Sequence, residues 1–128
     1  MELTGKCKKD FEKWVNDNIK DSKMYNGKYL SFNLDGAYIY FDDLFPSMQF
    51  GMIQDFADSK GFVFSIEPEW YVIDSDKPLF DFFIHYVDGS KRAEYGGMNK
   101  TREEAMIKSI EKFDEIYNSA EAQRSAII

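Results

Sequence analysis

The chain contains one histidine, His85, and one cysteine, Cys7. Any metal or nucleophilic site would have to be assembled around these two from remote positions. None of the short Cys/His spacings of structural zinc is present, and no nucleophile-elbow sequence surrounds a serine. His85 shares a predicted strand with Asp81, so a pocket using His85, Asp81 and a tyrosine is one candidate for ligand binding or hydrolysis. Cys7 has Lys6, Lys8 and Lys9 as positive neighbours, which a reactive thiol needs, but it lies on an apolar helical stripe, where a free cysteine behaves as a small hydrophobe. Carboxylates occur in close pairs: Asp42 with Asp43, Glu67 with Glu69, and Asp74 with Asp76. Glu67 and Glu69 flank Pro68, so simple alternation does not put both on one strand face. Asp74-Ser75-Asp76 opens like a calcium loop, but the glycine and closing glutamate are missing at the required positions. Gly96-Gly97 reads as a turn and not as a phosphate cradle. These patterns give no catalytic residue, cofactor or metal as the expectation, and the paired acids read as acidic surface.

Charge is unevenly placed. The chain of 128 residues has a net charge of −7. Residues 33–89 hold eleven acids against Lys60 and Lys77, a net of −9, whereas residues 1–32 sum to +2 and residues 90–128 to 0. Such a segment repels phosphate and attracts a basic partner, so direct nucleic-acid binding is not expected. Aromatic residues make up 17% of the chain (12 Phe, 8 Tyr, 2 Trp), more than a core of this size needs, which predicts rings at a surface. A lone cysteine excludes an internal disulfide. There is no apolar run after the basic residues near the start and none of 18 residues later, so the expectation is a cytoplasmic protein with neither signal peptide nor membrane anchor.

The elements that would position these groups follow from periodicity. Thr101 and Glu104 form a capping box that opens the clearest helix, 101–118, with Met106, Ile110, Phe113 and Tyr117 as its apolar stripe and Glu103, Glu104, Lys108, Glu111, Lys112 and Glu115 on the solvated faces. Leu3, Cys7, Phe11, Trp14, Val15 and Ile19 predict an amphipathic helix over residues 4–20. Asp35-Gly36 turns a hairpin over residues 28–41 whose tyrosines, Tyr29, Tyr38 and Tyr40, divide from its aliphatic and phenylalanine positions. Pro46 opens a second helix that Gly61 ends, with Phe45, Met48, Met52, Ile53 and Phe56 as its stripe. Gly51 interrupts that stripe, which implies either close packing or tolerance. Residues 62–67, 70–74 and 79–87 read as strands, with Phe80, Phe82, Ile84 and Tyr86 as the core face of the last, and Asp88-Gly89 returns the chain through SKRAEY. The expectation is a single α+β domain, 1–128, with an antiparallel sheet of four to six strands and three helices mainly on one face. Residues 119–128 read as a frayed tail.

The stretch FPSMQFG from Phe45 to Gly51, with Asp55-Phe56 and Asp58 to Gly61, and the closing TREEA from Thr101 with Ile110-Glu111-Lys112 and Glu115 to Asn118, resemble small proteins of phages and prophages of gut Bacteroides-like bacteria. Together they span about a third of the chain. The resemblance carries no activity or catalytic residue. It implies an accessory protein of a mobile element, of the kind that binds and blocks host machinery such as a nucleic-acid-binding defence enzyme. The expected partner is a basic host protein, engaged through Asp42, Asp43, Asp74, Asp76, Tyr29, Tyr38 and Tyr40. Two other outcomes stand: the tyrosines complete a small core, or they form a self-interface in a homodimer.

Overall fold

The computed structural model describes residues 1–19, 23–25, 29–34, 37–70, 77–88 and 91–127, and side chains over 1–19, 39–70, 77–87 and 93–119. The elements in order are α1 (Gly5–Asn18), β1 (Lys23–Tyr25), β2 (Tyr29–Leu34), β3 (Ala37–Tyr40), a 3-10 turn (Phe41–Asp43), α2 (Pro46–Ser59), β4 (Val63–Glu69), β5 (Leu79–Asp88), β6 (Lys91–Asn99) and α3 (Arg102–Ile127). Over the described residues the chain is α+β with three α-helices. Among the described residues the strands form two three-stranded antiparallel sheets, β1-β2-β3 and β4-β5-β6, where the sequence predicts one sheet. The break falls where Phe41 leaves the β3 ladder and turns into the interior, where it is buried.

The apolar stripe of α1 is buried as expected: Leu3, Cys7, Phe11 and Val15 all enter the core. Phe56 of α2 stands at the centre. Its ring meets Phe11 edge to face at 5.5 Å and Phe113 at 6.1 Å, and lies 5.9 Å from Tyr117. Phe113 in turn meets Phe62, just before β4, at 5.1 Å and Phe64 of β4 at 5.2 Å. Helices α2 and α3 therefore cover the face of that sheet carrying Phe64, Phe82 and Ile84. On its other face Val63, His85 and Val87 are exposed.

Helix ends are held by named groups. Glu104 N–H donates to Thr101 Oγ1 at 3.1 Å, the first half of the predicted capping box. Gly61 ends α2 with φ +85°, and the bonds Phe62 N–H to Ala57 O (2.9 Å) and Gly61 N–H to Asp58 O (3.1 Å) make a Schellman motif. The start of α1 is capped from outside. Thr4 N–H and Thr4 Oγ1 donate to Asp114 Oδ1 and Oδ2 of α3 at 2.8 and 2.6 Å, and Cys7 N–H donates to Asn118 Oδ1 at 2.9 Å. Two otherwise unsatisfied helix donors and a positive helix end thus face a carboxylate and an amide.

Two strand readings are corrected. Gly96-Gly97 is no turn: β6 runs through both to Asn99. A Cβ on Gly97 would stand 2.7 Å from the buried Phe82 ring, and one on Gly96 would stand 3.3 Å from Phe83, so the glycines leave room for rings on either face. Pro68 does not end β4, because β4 is an edge strand that asks for no N–H there, and the ladder continues to Glu69 opposite Leu79. Register then pairs Glu67 with Asp81 and Glu69 with Leu79, which brings both glutamates onto one face. Strand β1 lies outside the predicted elements, and of the predicted strand 70–74 only Trp70, an exposed residue after β4, is described.

Candidate functional site

The end of β3 and the segment that follows it carry Tyr40, Phe45 and Met48, three of the exposed large apolar side chains. On α2 the predicted stripe is rotated: Phe45 is 75% exposed and Met48 46%, while Gln49 is 6% exposed and Ile53, Phe56 and Ala57 are buried. Gln49 is held inside because its polar atoms are used. Its Nε2 donates to the carbonyls of Leu44 (3.0 Å) and Asp42 (3.3 Å), and its Oε1 accepts from the Met1 nitrogen (3.3 Å). These bonds fix the backbone before α2, and that fixed backbone turns Phe45 and Met48 outward. Tyr40, 43% exposed, and the exposed Asp42 and Asp43 belong to the same nine-residue stretch, 40–48. Phe41, between them, is buried.

Of the other sequence-derived site residues, Asp74 and Asp76 lie outside the described residues. The backbone register pairs Tyr25 with Tyr29, Asn33 with Tyr38 and Ser31 with Tyr40, so the three tyrosine positions fall in phase along the first sheet. Sequence reasoning missed Phe45 and Met48 as surface residues, because helical spacing alone put both on the buried stripe.

A cleft of about 460 Å³ opens beside this stretch, lined by Leu3, Lys8, Phe11, Glu12, Phe41, Asp42 and Gln49 among others. Glu12 is 7% exposed. Burial pushes its carboxyl above the ordinary value, against the pull of the Lys8 charge one turn earlier. Helical spacing hides it: Glu12 falls three residues after Lys9 and four after Lys8, the pattern of a solvated face.

Cys7, His85 and Asp81, the groups that the sequence offers for chemistry, are not brought together. Cys7 is fully buried, and burial first, then the Asp114 charge and hydrogen bond, push its thiol far above the ordinary range, which makes it inert. His85 and Asp81 share a strand face but are four residues apart, about 13 Å along the strand. The His85 ring instead stacks on Phe83 at 6.3 Å, and the Glu94 carboxylate lies 3.8 Å from its Nδ1 across the ladder. The hollow beside it, lined by Gly61, Val63, Tyr86, Val87, Ala93 and Glu94, is open; it brings Glu94 and Tyr86 to His85 but not Asp81. Among the described residues no three His, Cys, Asp or Glu side chains are placed to hold a metal ion, and no helix is long and apolar enough to cross a membrane.

No family model, curated protein or solved structure matches the chain.

Proposed function

We propose that this chain is a non-enzymatic protein-binding module of mobile-element origin, which engages a basic surface of a host protein through the 40–48 stretch. Its most concrete form is an inhibitor of a host nucleic-acid-binding defence protein, in the manner of an anti-CRISPR. The observation that carries the reading is the placing of Phe45 and Met48, two large apolar side chains held outward at a helix start, in the same nine-residue stretch as the exposed Tyr40, Asp42 and Asp43. Aromatic and methionine side chains supply contact area at an interface centre, and a rim of one charge selects a partner of the other. The −9 balance of residues 33–89 gives that selection its sign.

The test is capture with tagged protein from lysate of a Bacteroides-like host at low salt. Wild type should retain a basic, nucleic-acid-handling protein that is released as salt rises, and Phe45→Ser with Met48→Ser should lose it. Retention by the double variant, or recovery of the bait alone, would overturn the reading. Light scattering separates a bait that has instead paired with itself.

A further inference from the structure

Glu12 is 7% exposed at the wall of a 460 Å³ cleft; its carboxylate oxygens open onto the cleft, and among the described residues no hydrogen bond or ion pair reaches them. A largely enclosed charge whose only partner is the water of a cleft is less well solvated than one at an open surface and gains from a bound cation. Gln49, the other buried polar residue of the wall, has its amide fully engaged, so Glu12 is the group left to bind. The cleft wall also carries Glu2 and Asp42 against Lys8 and the Met1 ammonium, which with Glu12 is three negative groups against two positive, a net of −1. Its apolar part is Leu3 with Phe11 and Phe41, whose rings meet edge to face at 5.3 Å. The volume falls within the range of small-ligand sites.

We propose that this cleft is a socket for an arginine side chain, with the guanidinium against Glu12 and Asp42 and its methylenes along Leu3, Phe11 and Phe41. The proposal rests on the reading of the chain as a binder of a basic protein, and it names the side chain that the protein inserts. Arginine is favoured over lysine because a planar, weakly hydrated cation loses less on entering a desolvated site, pairs bidentately with a carboxylate and packs against aromatic rings. Entry of the cation supplies the hydrogen bonds that Glu12 lacks.

The experiment is an NMR titration of the full chain with N-acetyl-arginine methylamide, its lysine counterpart and its citrulline counterpart, the last being the neutral analogue of the same shape. Saturable shifts at the amides of Glu12, Phe41 and Asp42 are expected with the arginine compound, with weaker binding of the lysine compound and none of citrulline. Glu12→Gln, an isosteric change that keeps the fold, should weaken binding at least about tenfold, the loss of a hydrogen bond to a charged group. Absence of saturable shifts, equal binding of citrulline or lysine, or an E12Q variant that binds like wild type would overturn the proposal. The two readings fail separately. An arginine compound that binds while no basic host protein is captured leaves the socket and removes the proposed function; a captured protein indifferent to E12Q does the reverse.

Discussion

Glu12 and Asp10, two residues apart on α1, make opposite demands on pH. Burial raises the Glu12 carboxyl in the folded state, so folding favours its protonated form. Its ionisation carries no penalty below the unfolded pKa, and the penalty is complete once pH has risen through the folded value. Glu12→Gln is therefore expected to raise the melting temperature at pH 7 and to make no difference at about pH 3, below the ordinary carboxylate range; an equal shift at both would show that packing and not charge is responsible. For Asp10, desolvation pushes the carboxyl up, but hydrogen bonds from Tyr117 and Lys6 and the charges of Lys6 and Lys60 outweigh it and hold it low. Its contribution is present above the unfolded pKa and is lost as pH falls through the folded one, so Tyr117→Phe should soften the acid limb of the stability curve. Asp114 acts through geometry, since its two oxygens cap α1 from α3. Asp114→Ala should cost about 2–3 kcal/mol in a denaturant melt, the loss of two hydrogen bonds together with an orphaned Thr4 N–H. None of these three roles shows in local sequence pattern, because each depends on a partner more than a hundred residues away or on burial at a stripe's edge.

Two glycines test the elements, with opposite signs. Gly51 sits in α2 with helical backbone, and a Cβ there would meet nothing within 4 Å. Of the two meanings its presence allows, tolerance is the one observed, and Gly51→Ala should stabilise the chain by up to about 1 kcal/mol. Gly97 has open backbone choices but no space, since the Phe82 ring that would meet its Cβ is itself 4% exposed. Gly97→Ala should cost about 1–3 kcal/mol, measured in the same melts, and a neutral result would mean that the ring can move aside. The contrast marks what was legible in sequence. Helices α1 and α2, the hairpin β2-β3 and the core face of β5 follow from spacing of 3.6 or 2 and from turn and cap residues, all local signals. Gly96-Gly97 carried the local signal of a turn, yet rings on the neighbouring strand decided the matter. Phe45 and Met48 fit the α2 stripe, yet the bonds of Gln49 rotated them outward. The candidate site lies where tertiary contacts overrode the periodic pattern.

At the scale of the molecule, the proposed interface divides charge and apolar contact between separable groups, and that division would govern its kinetics. A net charge of −7, with −9 in residues 33–89, would steer the proposed basic partner before contact, an attraction that weakens as the Debye length shrinks to about 8 Å at physiological salt. The contact itself is short-ranged: Phe45 and Met48 gain only on being covered. Reversal of Asp42 and Asp43 to Lys should therefore act on association, lowering the on-rate and flattening its dependence on ionic strength while leaving the off-rate nearly unchanged. Phe45→Ser should leave the on-rate and its salt dependence close to wild type and speed dissociation by about tenfold or more, the size expected for an aromatic anchor. Surface plasmon resonance with the captured partner at three ionic strengths measures both. Should the charge reversal change only the off-rate, the carboxylates would be making buried contacts and not steering. Should Phe45→Ser leave dissociation untouched, the interface would lie elsewhere on the molecule, with the open face of β4-β5-β6, where Val63, Val87 and Met98 are exposed beside Glu67 and Glu94, as the next surface to vary.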